Sequence, residues 1–282
     1  MDVKTQLATF AGVLIVLFAT GMVAGKLIDP EAPGGEAEAE AHGAPAMDEH
    51  GAMAAADPVR GLAVAEHGLR VVVEDPELRR GAEQPLRFRI VDDRGETVRD
   101  FDVEHTKRMH LIVARRDLTG FQHLHPELAA DGTWTTPLRL GDAGSYRLFA
   151  DFAHDGEATT LASDLRVDGP ADLTPLPAPQ PSAVSDDGYE VALANGVAHA
   201  GEAATLRFAV TKDGRPVATE PYLGADGHLV ALREGDLAFL HVHPTDGMGF
   251  EATFPSPGRY RLFLQFRVAG KVQTVAFTQE VS

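Results

Sequence analysis

Short runs of alternating apolar and polar residues follow one another along most of the chain and are separated by turn-forming residues. Strict alternation is typical of half-buried β-strands, and about seven short strands at this spacing predict an antiparallel β-sandwich. The Asp and Gly residues of Asp92–Gly95 and Lys212–Gly214 suit hairpin turns between such strands. The first seven predicted strands are Leu69–Val73, Leu86–Val91, His110–Arg115, Phe121–His125, Thr133–Leu138, Tyr146–Phe152 and Thr159–Val167.

This strand pattern occurs twice. Leu86–Phe88 is repeated as Leu206–Phe208, and Gly144–Phe149 is repeated as Gly258–Phe263. The Gly-x-Tyr-x-Leu-Phe run is typical of a late sandwich strand that begins with a tyrosine corner. The sequence therefore predicts an all-β protein with two tandem immunoglobulin-like antiparallel β-sandwiches.

An apolar segment, Leu7–Gly25, precedes both copies; it carries no charge and has close to the length of about 20 residues that a membrane-spanning helix needs. We expect an uncleaved signal anchor, which makes the chain a single-pass plasma-membrane protein with its domains on the extracytoplasmic side. A cleaved signal peptide is the alternative and gives the same side. The predicted segments are the transmembrane signal anchor at 1–28, a disordered acidic Ala/Gly/Glu linker at 29–58, the first sandwich at 59–168, a proline-rich linker at 169–186 and the second sandwich at 187–282.

Charge and cysteine content exclude several kinds of function. The formal net charge is −17, which argues against a nucleic-acid partner. The chain has no cysteine, so disulfides, zinc–thiolate sites, iron–sulfur clusters and cysteine nucleophiles are excluded. A blue-copper electron-transfer site is excluded for the same reason, because it needs a thiolate ligand.

The two copies share one histidine motif: a His, twelve residues, and then His-x-His-Pro. Side chains two residues apart on a strand face the same side, so the two histidines of each His-x-His project together. Histidine is a common metal ligand near neutral pH, and three imidazoles leave one position open on a tetrahedral ion. The candidate metal ligands are His110, His123 and His125 in the first copy and His228, His241 and His243 in the second.

Whether the first histidine joins the other two depends on how the hairpin pairs. We expect Arg116 to pair with Phe121. Ile112 then lies opposite His125, and His110 sits diagonally on the same face. A shift by one residue would move His110 to the other face. Copper(II) and zinc(II) both accept imidazole ligands, and a hydrogen-bonded histidine cluster without metal is the structural alternative.

The run Met109–Pro126 around the first motif resembles exported bacterial proteins that carry YtkA-like or related immunoglobulin-like β-domains. Such domains are linked with copper handling, as are the similarly shaped CopC-like proteins. The resemblance implies copper handling, and copper is therefore favoured over zinc. The CopC-like copper site uses a mature N-terminal histidine, and this chain has no obvious equivalent.

We therefore expect a membrane-tethered extracytoplasmic metal-binding protein with one three-His site in each sandwich, acting in metal buffering or delivery. The expected partners are a copper ion, with zinc as the alternative, the membrane through the N-terminal helix, and another metal-handling protein of the envelope; nucleic acid is not expected. No enzymatic activity is expected, because no acid/base residue beside the motif is repeated. Thr245, for example, stands where the first copy has Glu127. A structural scaffold of the cell envelope without metal and a His-metal enzyme are the alternatives.

Overall fold

The regular elements that the structure describes are all β-strands, as the alternating pattern predicts. The computed structural model describes residues 59–194, 198–240 and 242–282. The predicted signal anchor at 1–28 and acidic linker at 29–58 lie outside these residues. Within the described ranges, no helix is long and apolar enough to span a bilayer.

In the described part of the chain, ten strands in two five-stranded sheets form the first sandwich. They are β1 (Ala65–Glu66), β2 (Leu69–Val73), β3 (Glu77–Leu78), β4 (Glu83–Asp92), β5 (His110–Arg115), β6 (Gln122–Leu124), β7 (Glu127–Leu128), β8 (Trp134–Arg139), β9 (Gly144–His154) and β10 (Glu157–Val167). The sheet orders are β1-β2-β4-β8-β7 and β3-β10-β9-β5-β6. Inward-facing side chains from both sheets, among them Phe88, Leu111 and Trp134, fill the space between the sheets.

The second sandwich repeats this arrangement with ten more strands among the described residues. They are β11 (Ser182–Val184), β12 (Glu190–Leu193), β13 (Ala203–Lys212), β14 (Arg215–Pro216), β15 (His228–Arg233), β16 (Phe239–Leu240), β17 (His243–Pro244), β18 (Gly249–Thr253), β19 (Gly258–Val268) and β20 (Lys271–Val281). One sheet has the order β11-β12-β13-β18-β17 with β14 beside β13, and the other has the order β16-β15-β19-β20. The core of the second sandwich contains Leu206, Phe254 and Phe266.

Two tyrosines confirm the predicted tyrosine corners. The hydroxyl of Tyr146 donates a hydrogen bond to the backbone carbonyl of Asp142 at 2.9 Å. The hydroxyl of Tyr260 does the same to the carbonyl of Ser256, also at 2.9 Å. Both rings are buried, so each bond satisfies a polar group that the core would otherwise leave without a partner.

The hairpin that carries the first histidine motif pairs two residues away from the predicted register. Ile112 lies opposite His123, not opposite His125. The turn is tighter than expected, because Leu118 adopts a positive φ of 64° and the Asp117 carboxylate accepts hydrogen bonds from the Thr119 backbone and hydroxyl. A shift by two residues keeps every side chain on its face of the sheet. The predicted convergence of the histidines therefore survives the wrong register.

The sandwiches pack against each other through the sheet that contains β5 and β9 and the sheet that contains β15 and β19. Phe121 stacks on Phe263 with the ring centroids 4.1 Å apart. Phe149 packs on Phe239 at 5.6 Å. Phe121 is equivalent to Phe239 in the repeat, and Phe149 is equivalent to Phe263. Such reciprocal contacts define a two-fold interface, formed here between the two halves of one compact unit, Met53–Ser282.

The proline-rich segment between the sandwiches is tied to both of them. The backbone N–H of Thr174 donates to the Asp117 carboxylate at 2.8 Å. The carbonyl of Leu176 accepts a hydrogen bond from Arg259 at 3.4 Å, and its side chain packs against the apolar cluster between the sandwiches. Strand β11 lies inside the segment predicted as linker. These contacts hold the connection against the interface.

Candidate metal centre

Three histidines of the first copy meet at the start of β5. His110 is the first residue of β5, His123 lies on the neighbouring β6, and His125 follows that strand directly. One ring nitrogen of each histidine lies within 4.8 Å of the corresponding nitrogens of the other two. Among the described residues, these three side chains form the group that is close enough to hold a metal ion. The structure therefore brings together the predicted ligands of the first copy in a cluster that can hold a metal ion.

Backbone and amide oxygens fix the tautomers of two rings. His110 Nε2 lies 3.2 Å from the carbonyl oxygen of Glu104, which can only accept, so Nε2 carries the proton. His123 Nδ1 lies 2.8 Å from Gln265 Oε1, so that nitrogen carries the proton as well. A neutral imidazole has one protonated nitrogen, which leaves a lone pair on His110 Nδ1 and on His123 Nε2. Ligating histidines are commonly oriented by such a hydrogen bond from their other nitrogen.

These two lone pairs face each other. His110 Nδ1 and His123 Nε2 are 3.0 Å apart, and neither atom has a proton to place between them in these tautomers. Two nitrogens on one tetrahedral zinc ion, each at about 2.0–2.1 Å from the metal, lie about 3.3 Å apart. The spacing is thus close to that of two ligands on one ion. The remaining ring adds a donor, because His125 Nε2 is buried with no hydrogen-bond partner among the described residues.

The second sandwich closes the site. The ring of His228, at the start of β15, stacks 5.7 Å from that of His110 and lies 5.9 Å from that of His123. His228 Nε2 is also buried and has no hydrogen-bond partner within the described ranges. The cavity between these rings has a volume of about 40 Å³. That is room for an ion and very few waters.

Burial keeps the rings neutral, which is the form that binds metals. It lowers the pKa of His123 to about 3 and the pKa of His125 to about 4, and repulsion from His110 is the next cause in both rings. Burial, followed by the nearby rings of His123 and His110, lowers the pKa of His228 to about 3. Burial also lowers the pKa of His110, although a backbone hydrogen bond and the charge of Asp151 oppose it.

One acidic residue lies in the same cavity. Asp151 on β9 pairs directly with His110 across the strands and lines the cavity wall. Its carboxylate accepts a hydrogen bond from the hydroxyl of Thr160 at 2.6 Å. The equivalent residue of the second copy is Gln265, whose amide donates to Thr274 at 3.1 Å and accepts from the His123 ring. The same strand position therefore supplies a negative charge from one sandwich and an orienting amide from the other.

Comparison with known proteins places both sandwiches in one family. The model of the Domain of unknown function DUF8832 matches residues 63–169 and again residues 182–282. This chain belongs to the DUF8832 family. The two matches confirm the tandem duplication, whereas membership of the YtkA-like or CopC-like families stays a prediction. No curated protein matches the chain.

Solved structures similar to the two DUF8832 copies include an adhesin and tandem Ig repeats. The Escherichia coli adhesin FdeC is 15% identical, with 78% of this chain and 66% of the adhesin chain covered and a TM-score of 0.28. The tandem Ig repeats of Drosophila Dlar are 9% identical over 77% of this chain and 99% of theirs, with a TM-score of 0.21. Salmonella alpha-2-macroglobulin is 11% identical over 79% of this chain and 15% of its own, with a TM-score of 0.28. Likeness at this level says nothing about what this chain binds.

The second DUF8832 copy places its motif differently. The ring of His228 lies beside the first copy's cluster, and His241 lies outside the described residues. His243 is exposed on β17, where it pairs with Glu251 of β18. The connection after Pro244 is shorter than its equivalent in the first copy, and β17 begins two residues earlier in the repeat than β7 and includes the histidine.

Three members of the site are missed by sequence reasoning. His105 is not repeated in the second copy, yet its ring lies 5.2 Å from His228 and 6.1 Å from His110. Asp151 and Gln265 lie outside the motif altogether. Their signal is positional, because each follows an interface phenylalanine, Phe149 or Phe263, by two residues and therefore lies on the same face of its strand.

Proposed function

We propose that this DUF8832 protein is a membrane-tethered extracytoplasmic metal-binding protein that buffers or delivers a divalent ion. Copper(II) is the favoured ion and zinc(II) the alternative, with another envelope protein as donor or acceptor. The proposal rests on the histidine cluster for the metal, on the sequence resemblance for copper, and on the apolar segment Leu7–Gly25 for the membrane.

The facing lone pairs of His110 and His123 carry the proposal. A hydrogen-bonded cluster without metal needs a proton between these nitrogens, and that proton would create a buried cation. The low pKa of His123, about 3, means that its ring does not hold that extra proton near neutral pH. A metal ion satisfies both lone pairs at once. The cluster therefore fits a metal site better than it fits a purely structural one.

The donor set and the cavity narrow the choice of ligand. The cluster consists of imidazoles, whereas Met109 is buried in the core of the first sandwich and Met248 packs against the core of the second. An imidazole set without sulfur suits copper(II) and zinc(II) better than copper(I). The cavity of about 40 Å³ is far smaller than the roughly 300–1,000 Å³ of a usual organic-ligand pocket, which favours an ion as its occupant. Binding and release of the ion is thus the activity that we propose, without catalysis.

Titration of the full chain with copper(II) and then zinc(II) tests this function. We expect one tight equivalent per chain by calorimetry, in mild detergent because of the apolar N-terminal segment. His123→Gln keeps the hydrogen-bonding capacity of the side chain but removes a ligand, and it should weaken binding by at least about 100-fold. Gln122→Ala, on the other face of β6, is the matched control and should bind like the parent. If the parent binds neither ion, the metal proposal is wrong and the scaffold interpretation is left.

Asp151 should strengthen binding through its charge. A carboxylate close to a divalent ion in a partly buried site stabilises the ion by Coulomb attraction. We expect Asp151→Asn to lower the copper(II) affinity by about five-fold in a competition titration with a chelator of known affinity. Asp164→Asn removes an equal charge from an exposed side chain on the adjacent strand and serves as control. Equal affinities of the parent and Asp151→Asn would show that the carboxylate does not act on the ion.

A further inference from the structure

We infer that His228 is the fourth ligand of the metal, so that one ion is shared by the two sandwiches and is held only while they are packed together. The inference rests on the proposed function and deepens it. It replaces two separate three-His sites with one site in which the second copy completes the first. In this arrangement, packing of the two copies against each other controls the binding and release of the ion.

His228 lies beside the three-histidine group, although its ligand atoms are not among those that all lie within 4.8 Å of one another. Its ring is within about 6 Å of the rings of His110 and His123, and its Nε2 is buried without a partner among the residues that the structure describes. The backbone carbonyl of Leu223 accepts a hydrogen bond from the His228 ring. This bond partly opposes the lowering of the His228 pKa by burial. Since Nε2 is without a partner, this bond involves Nδ1. It leaves the lone pair on Nε2, inside the cavity.

The second sandwich also positions a ligand of the first. Gln265 is buried, and its Oε1 holds the Nδ1 proton of His123 across the interface at 2.8 Å. The amide nitrogen of Gln265 also donates a hydrogen bond to the hydroxyl of Thr274. Separation of the sandwiches would therefore remove one ligand and also free the ring of another. Loss of such an orienting hydrogen bond typically costs about 10–100-fold in metal affinity.

Coupling between the ion and the interface follows from this sharing. If the ion is bound more tightly by the packed sandwiches than by separated ones, it must stabilise the packed state by the same factor. The apolar contacts around Phe149 and Phe263 hold the copies together, and the ion would add to them. A partner protein that separates the copies would lower the affinity and so release the ion.

Counting the nitrogens around the bound ion tests the assignment directly. X-ray absorption spectra of the copper(II)-loaded full chain should fit four imidazoles, and those of His228→Gln should fit three, with an affinity about ten-fold lower. His199→Gln is the matched control, because it removes an exposed histidine of the second sandwich whose ring is bonded to Ser282 and lies outside the cluster. It should keep four imidazoles. A count of three in the parent, with unchanged affinity in His228→Gln, would overturn the shared site while leaving metal binding intact.

A distance measurement separates ligand loss from a folding defect. The chain has no cysteine, so spin labels can be placed at Asp155→Cys and Lys271→Cys, which are exposed and lie in different sandwiches. Zinc(II) should narrow the distribution of label–label distances in this background, and the narrowing should disappear when His228→Gln is added. A folded His228→Gln protein in which zinc still narrows the distribution would contradict the inference. A parent that binds no ion in the titration would instead contradict the proposed function.

Discussion

Phe149→Ala should lower the free energy of unfolding by about 3–5 kcal/mol, which is the usual cost of deleting a fully buried phenylalanine ring. The ring has no exposed surface and lies between the sandwiches against Phe239, so its loss leaves a cavity in the interface. The core of neither sandwich contains this ring. Urea unfolding of the metal-free chain, followed by circular dichroism, measures the loss.

The same variant should weaken metal binding although Phe149 is not a ligand. A looser interface lowers the fraction of molecules with the sandwiches packed, and the apparent affinity falls in proportion to that fraction. We expect a copper(II) affinity at least about five-fold lower. Leu86→Ala is the control, because this leucine is also almost fully buried but lies on β4, in the sheet that does not contribute to the apolar cluster between the sandwiches. It should lose about 2–5 kcal/mol of stability and keep its affinity; an equal loss of affinity in both variants would argue against coupling through the interface.

Local patterning predicted most of the fold. All seven strands predicted for the first sandwich are present, with their ends within three residues of the prediction. Alternation identifies such strands because one face of each packs on a core and the other does not. The tyrosine corners could also be predicted from local sequence, because the Gly-x-Tyr-x-Leu-Phe run lies within a single strand. Chain order and duplication then led to the two tandem sandwiches.

Packing between the sandwiches could not be derived in the same way, although β5 carries a sign of it. All six of its residues are buried, including Ile112 and Ala114, which point away from the core of their own sandwich. A strand that is apolar on both faces indicates a sheet covered on both sides. The sequence does not say what covers it, because that depends on which sheets meet and at what angle. Leu232 of the second copy presents the same ambiguity.

Because the packing between the sandwiches could not be predicted, only the first copy's part of the site could be predicted from the sequence. The convergence of His110, His123 and His125 follows from spacing within one hairpin, and an error of two residues in the register leaves it unchanged. The contribution of His228 depends on the interface between the copies, which no local pattern specifies. A repeated motif suggested two equal sites, but a two-fold interface brings together equivalent residues that lie near its axis, here His110 and His228. Duplication of the motif is therefore compatible with a single shared site.

Mild acid should destabilise the metal-free protein, because its buried histidines resist protonation. The rings of His123, His125 and His228 have pKa values of about 3 to 4 in the folded chain, against 6.5 for a histidine in an unfolded one. A lowered pKa means that the unfolded state binds more protons, so the stability is present above pH 6.5 and is lost as the pH falls toward the folded values. Each such proton gives a slope of about 1.4 kcal/mol per pH unit.

Urea unfolding in the presence of a chelator, at about pH 8, 7, 6 and 5, measures this slope. Between the upper two values the free energy of unfolding should change little, and between the lower two it should fall by at least about 1.4 kcal/mol. His123→Gln removes one of the buried rings and also the repulsion it exerts on its neighbours, so its slope should be shallower. Gln122→Ala adds or removes no titrating group and should keep the slope of the parent. Parallel slopes in the parent and His123→Gln would mean that the cluster is protonated without opening, and the buried, neutral state of the rings would then be wrong.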